Sequence, residues 1–272
     1  MKIGVFDSGL GGLVIAKSLM DSLPYYDYVY FGDTEHLPYG DKTNLQIKEY
    51  TENAIRFLIN KNCKIIIIAC NTASTVCLRY IQQVFCPNLF PDIKVLGVII
   101  PTIEIALDYQ DNKIGVVGTN ATIKSGVYNI ELKKKKTDID VISMATPELV
   151  PLIESNDFVG AENIIKQYCK KLTDIPVLIL GCTHYPLVKH LFERYLPDTK
   201  IIAQNDFMGY KLKDYLSRHS EIEINLSRNS SRNFFVSKNN QKYTEIANLL
   251  FPDAKIEKIP CFFDFYNIEC TQ

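Results

Sequence analysis

Two cysteines, Cys70 and Cys182, carry the strongest chemical signal in the sequence. Each follows a short apolar run and opens a polar string, Cys70-Asn71-Thr72-Ala73-Ser74 in one case and Cys182-Thr183-His184-Tyr185-Pro186 in the other. A cysteine between a strand and a helix N-terminus sits where backbone N–H groups and the helix dipole favour the thiolate. A free thiol has a pKa of about 8.5, so a modest depression gives a usable base near neutrality. A pair at equivalent places suits the inversion of a stereocentre. One thiolate takes a proton from one face of a carbon, the other thiol delivers one from behind, and the roles exchange for the mirror-image substrate. The plainer alternative is that both are packed strand-end residues.

Asp7 and His184 are the expected helpers, able to hold a thiol's proton or orient it. Asp7 ends the strand beside that of Cys70, and His184 lies two residues after Cys182. Their bland readings are a turn role, since Asp-Ser-Gly is a common turn string, and a buried hydrogen-bonded imidazole. Ser8, Asn71, Thr72 and Thr183 offer hydroxyls and amides to a carboxylate and an ammonium, with helix N-terminal N–H groups beside them. Tyr39 and Gly40 stand in a loop that can reach the same cleft. The string Gly9-Leu10-Gly11-Gly12 lacks the Gly-x-Gly-x-x-Gly order and a following Lys-Ser/Thr, which argues against a nucleotide. Cys182 and His184 lack further suitably spaced partners for a metal.

The elements that must position these residues are strands alternating with helical patterns, the signature of βαβ units and parallel sheets. Strands are expected at residues 2–6, 28–31, 65–69 and 96–100, the last closed by Pro101. Ile47, Tyr50, Ala54, Phe57 and Leu58 form the apolar stripe of a helix, and residues 72–83 read as another, capped by Asn71 or Thr72. The pattern then restarts. Residues 113–118 repeat residues 2–7 at an offset of 111, residues 175–182 echo 63–70 at 112, and 140–146 align loosely with 28–34 at 112. Three echoes in order at a near-constant offset indicate two similar doubly wound α/β domains related by a pseudo-twofold. The reactive cleft should lie between them, at the carboxyl ends of the strands. The first domain is expected to comprise residues 1–97 plus 208–272, and the second 98–207. The tail, with Phe234, Phe235 and Val236 and a helical pattern over 243–250, should return to the first half, and residues 227–233 read as a loop.

Composition fits this picture. The 272 residues are 47% hydrophobic and 22% charged, with 30 basic and 31 acidic side chains, which argues against a polyanion-binding surface and a nucleic-acid partner. The four lysines at 133–136 read as a solvated helix face. No targeting segment is evident, and the longest apolar run is far short of the ~20 residues that span a bilayer. A cytoplasmic protein with no membrane partner is expected. Its eight cysteines contain no Cys-x-x-Cys pair, so free thiols follow, with the six others besides Cys70 and Cys182 as small buried hydrophobes.

The chain resembles the bacterial glutamate racemases of the aspartate/glutamate racemase superfamily. The matching strings are Phe6-Asp7-Ser8-Gly9-Leu10-Gly11-Gly12, Tyr30-Phe31-Gly32-Asp33 with Pro38-Tyr39-Gly40, and Ala69-Cys70-Asn71-Thr72-Ala73-Ser74. Gly97-Val98-Ile99 with Pro101, Gly118-Thr119 with Ala121-Thr122, and Leu180-Gly181-Cys182-Thr183-His184-Tyr185-Pro186-Leu187 complete the set. The resemblance implies two α/β domains, no cofactor or metal, and interconversion of L- and D-glutamate to supply D-glutamate for peptidoglycan. It makes Cys70 and Cys182 the acid/base pair and Asp7 and His184 their assistants. Asp7-Ser8, Tyr39-Gly40, Asn71-Thr72 and Thr183-His184 become substrate-binding pairs, with Glu154 near the substrate, and a homodimer is an assembly it allows. Two strings depart from the family: Ala145-Thr146-Pro147 stands where many members have Ala-Cys-Pro, and Gln204-Asn205-Asp206 where members often show Asp-Ser. The competing readings are a racemase for aspartate or a hydantoin, a non-catalytic amino-acid-binding protein, and a regulatory partner of a DNA enzyme.

Overall fold

A computed structural model describes residues 1–238, 241–252 and 254–259. Two sheets, parallel throughout, organise them. The first holds β1 (Lys2–Asp7), β2 (Tyr28–Gly32), β3 (Cys63–Ile68), β4 (Lys94–Gly97), β9 (Arg232–Val236) and β10 (Ile256–Lys258), in the order β10-β9-β2-β1-β3-β4. The second holds β5 (Lys113–Gly118), β6 (Asp140–Ala145), β7 (Val177–Gly181) and β8 (Lys200–Ile202), in the order β6-β5-β7-β8. The run β2-β1-β3-β4 has the same topology as β6-β5-β7-β8, so the repeat at 111–112 residues is a repeat of architecture. The central strands, Ile65–Ile68 in β3 and Val177–Leu180 in β7, are buried throughout, because helices cover both faces of each parallel sheet.

The helix Asn44–Asn60 buries Ile47, Ala54, Phe57 and Leu58. Thr43 starts it with a capping box, its side chain and that of Gln46 each satisfying the other's backbone N–H. The helix after β3 runs over Asn71–Tyr80, and its N-cap is neither Asn71 nor Thr72 but Cys70. Its next turn, Ile81–Phe85, widens into a π turn. The expected strand at 96–100 is also corrected: β4 stops at Gly97 and a helix, Ile99–Leu107, begins. Pro101 sits in that helix's first turn, where a missing N–H costs nothing and the fixed φ suits the helix. Proline here starts a helix instead of closing a strand.

The tail returns to the first half. The helix Met208–Arg218 begins against Gly11–Ser22, where a Cβ on Gly209 would lie 2.0 Å from Ser22 Oγ, and β9 then pairs with β2. Arg232 and Asn233, expected in a loop, already belong to β9, and β10 extends the same edge. The lysines at 133–135 are exposed on the last turn of the helix Val127–Lys135, where Lys134 pairs with Glu131. Cys63, Cys77, Cys86 and Cys169 are buried free thiols, whereas Cys261 and Cys270 lie outside the described residues. No helix among the described residues is long and apolar enough to cross a membrane.

Candidate active site between the two halves

The carboxyl ends of β1 and β3 face those of β5 and β7 across a narrow, partly open crevice. Cys70 lines it from the first half and Cys182 from the second, joined by Ser8, Tyr39, Gly40, Asn71, Thr72, Thr183 and His184. Leu37, Pro38, Thr119 and Val150 complete the wall. A larger hollow of about 1390 Å³ opens beside it, sharing Gly40, but neither cysteine reaches it, so chemistry and not size picks out the smaller cavity. The described residues contain no group of three His, Cys, Asp or Glu side chains placed to hold a metal ion.

Cys70 accepts a hydrogen bond from the Ala73 N–H at 3.4 Å and lies 3.4 Å from Ser8 Oγ. A short polar side chain at an N-cap satisfies one orphan donor of the first turn. Sulfur plays that part here, which places it on the positive end of the helix dipole. Burial nevertheless dominates: it pushes the Cys70 thiol well above the ordinary range, the nearby Asp7 charge adds to this, and the Ser8 and Ala73 hydrogen bonds offset only part. The expected lowered pKa is therefore corrected. Burial thus favours the thiol form of Cys70.

Across the cavity, Cys182 Sγ stands 3.7 Å from His184 Nδ1, and His184 Nε2 bonds the Glu154 carboxylate. His184 is buried, which disfavours its charged form, yet Glu154 and the contact with Cys182 outweigh this and hold its pKa well above the usual histidine value. Burial likewise works against ionised Glu154, but His184 outweighs it and holds the carboxyl below its usual range. The two shifts agree on one state, an imidazolium paired with a carboxylate, with a ring N–H available to the Cys182 sulfur. Glu154 also accepts from the Leu10 N–H at 3.2 Å, tying the second half to the loop after β1. It stands behind His184 and is not part of the cavity wall.

Asp7 is also a step behind the wall. It is fully buried, and Oδ2 accepts from the N–H groups of Gly9 at 2.9 Å and Gly12 at 3.0 Å and from Thr183 Oγ1 at 3.4 Å. Oδ1 has no hydrogen-bond partner among the described residues. Burial raises its pKa to about 6, against the lowering effects of His184, Gly9, Thr183 and Gly12. Gly12 is required here, because a Cβ would lie 2.1 Å from Asp7 Cβ. Ser8, and not Asp7, makes the hydrogen bond with Cys70.

Several wall-forming contacts carry no local sequence signal. Thr72, Thr119 and Thr122 close a triangle of hydroxyls across the two halves, with separations of 2.9, 3.0 and 3.2 Å. Tyr39 donates to Asp33 Oδ2 at 2.7 Å, and Asp33 also accepts from Ser237 at 2.8 Å, so a tail residue helps hold the loop over the cavity. The Gly118-Thr119 string was visible in the sequence, but only the meeting of the halves turns Thr119 toward Thr72.

Two cysteines lining one crevice, one from each of two like α/β halves, form the arrangement that a two-base proton-transfer isomerase requires. The profile of the Asp/Glu/Hydantoin racemase family matches residues 34–206. Glutamate racemase 3 of Caldanaerobacter subterraneus subsp. tengcongensis is 38% identical over 255 residues, covering 91% of this chain and 90% of that one. The glutamate racemase of Sulfurihydrogenibium sp. is 37% identical over 265 residues, covering 95% and 97%. Among solved structures, the glutamate racemase of Francisella tularensis subsp. tularensis in complex with D-glutamate aligns with a TM-score of 0.85 at 34% identity, covering 97% of this chain and 98% of that one. The chain belongs to the Asp/Glu/Hydantoin racemase family.

Proposed function

We propose that this chain interconverts L- and D-glutamate by proton transfer at Cα, with Cys70 and Cys182 as the two acid/base groups and no cofactor. The observation that carries the reading is that Cys70 and Cys182 line the same crevice from opposite halves. Removing a proton from Cα leaves a planar carbanion, and inversion needs the returning proton to arrive from the other face. Two bases on one side would only exchange the proton with retention.

Each half supplies one thiol and its support. The substrate's ammonium brings a positive charge into the site and offsets the burial that keeps Cys70 protonated, so on binding the thiol passes its proton to the Asp7 carboxylate and becomes a thiolate. The thiolate takes the Cα proton, and Cys182, carrying its own proton beside the His184 imidazolium, delivers that proton to the opposite face. The reverse reaction exchanges the roles. The Asn71, Thr72 and Thr183 side chains and the N–H groups at the helix start meet carboxylate oxygens, and Tyr39 and Gly40 close the cavity beside them. The product, D-glutamate, serves peptidoglycan synthesis, in a cytoplasm where the thiols stay reduced.

The test is exchange in deuterated water. L- or D-glutamate should gain deuterium at Cα with no added cofactor, and Cys70→Ser or Cys182→Ser should cut racemisation by roughly 10²–10⁴-fold, the usual worth of a positioned acid or base. Full activity in both variants would sink the reading. Aspartate in the same assay decides substrate choice: turnover of aspartate at the higher kcat/KM would replace glutamate in this proposal.

A further inference from the structure

Asn71 sits beside Cys70 at the first position of its helix, lines the cavity and is 2% exposed. Its side-chain oxygen is fully engaged. Tyr128, on the helix Val127–Lys135, donates to Asn71 Oδ1 at 2.7 Å, and Gln204, in the single turn Gln204–Asp206 after β8, donates Nε2–H to the same oxygen at 3.1 Å. Gln204 Nε2 also lies 3.4 Å from Tyr128 Oη, which makes the three groups one cluster. Tyr128 and Gln204 are themselves buried, at 2% and 0% exposed. Asn71 Nδ2, by contrast, has no hydrogen-bond partner among the described residues.

An amide carries an acceptor on one side and donors on the other, and half a turn about its last bond exchanges them. A carboxylate in the cavity needs the donor side. A buried donor left without a partner is costly, so this arrangement is kept only if something else fixes it and a ligand satisfies it. We infer that Tyr128 and Gln204 are positioning residues that lock the Asn71 amide with Nδ2–H turned to the substrate carboxylate on the reacting carbon. This rests on the racemase reading above and deepens it. Asn71 comes from the first half, whereas Tyr128 and Gln204 come from the second, so the lock forms only when the halves are together.

The test is a double-mutant cycle on kcat/KM and on the Kd for D-glutamate measured by calorimetry. Tyr128→Phe and Gln204→Leu should each lower kcat/KM by about 5–30-fold, and the pair together should approach the loss of Asn71→Ala. In an Asn71→Ala background the same changes should cost less than about two-fold more, because they act only through that amide. Losses that simply add would overturn the lock and leave a packing role. Asn71→Asp, which keeps the shape but replaces the donor by an acceptor, should be at least as damaging as Asn71→Ala. An active aspartate variant would show that the amide presents its oxygen, and would refute the assignment. If the double variant fails to fold, Tyr128→Phe alone carries the cycle, since it removes one hydroxyl and no volume of consequence. The wild-type protein run in parallel separates the two ideas. Absence of Cα exchange sinks the racemase reading, while the Kd cycle still decides the lock.

Discussion

Gly11 packs its backbone directly against the second half, and it makes the sharpest prediction. Gly11 opens the helix Gly11–Ser22, and a Cβ built on it would lie 2.3 Å from the Thr183 carbonyl carbon and 2.5 Å from both the Thr183 oxygen and the His184 nitrogen. Ordinary contact begins at 3.4 Å, so Gly11→Ala requires a displacement of about 1 Å. The obstacle is backbone, directly after Cys182, and has no rotamer by which to give way. The strand end must retreat or the halves must part, and either moves the two sulfurs relative to the carbon between them. A misplacement of about 1 Å costs on the order of 10²-fold in rate, or about 2.7 kcal/mol of barrier. The stability cost should stay near 1–3 kcal/mol, as for other overpacked sites. Racemisation followed by optical rotation, with urea unfolding alongside, gives both numbers. Gly160→Ala is the control: its Cβ would meet the Asp157 side chain at 2.3 Å and Leu152 Cδ2 at 3.0 Å, neither of which lines the crevice, so it should weaken its helix with little effect on kcat/KM. A Gly11→Ala enzyme within about three-fold of wild type would refute the claim that this glycine sets the spacing of the halves.

Two further predictions concern charge. Asp7 has a folded pKa near 6 against an ordinary 3.8, so the folded chain binds its proton more tightly than the unfolded chain does. Its contribution to stability is present below pH 3.8 and lost as the pH rises through 6, amounting to on the order of 3 kcal/mol. Asp7→Asn should therefore be stabilised relative to wild type at pH 7 and not at pH 3.5. Unfolding curves that keep the same gap at both values would contradict this. For Glu154→Gln, the loss of the carboxylate that holds His184 charged should move the alkaline limb of the kcat/KM profile to lower pH, with activity at pH 8 down roughly ten-fold. The His184 part of the stability, present below its ordinary 6.5 and lost above its raised folded value, should start to fall at lower pH in the variant. Superimposable pH profiles would rule out the pair as the cause.

Much of this was legible in the residues themselves. Buried parallel strands need near-continuous apolar runs, so 2–6, 28–31 and 65–69 read directly as strands, and a repeat of such runs at a fixed offset reads as a repeat of sheet order. The chemistry-bearing types cluster at strand ends because parallel βαβ units leave that edge free for ligands. Local reasoning failed where two local roles compete. Pro101 can close a strand or open a helix, and cysteine, ranked below asparagine and threonine as a cap, takes the position at Cys70 because β3 ends at Ile68, one residue short of the expected 69.

Tertiary structure alone decided the electrostatics and the partnerships. A spacing of residues says that Cys70 begins a helix, but not that burial outweighs the dipole and leaves a thiol. It places His184 two residues from Cys182, but only the packing of the helix Leu149–Glu154 against that strand end brings Glu154 to its far nitrogen. Tyr128 and Gln204 reach Asn71 from 57 and 133 residues away. Periodicity and composition record what each segment buries, whereas pKa values and convergent hydrogen bonds depend on which distant segments exclude water from the same few atoms.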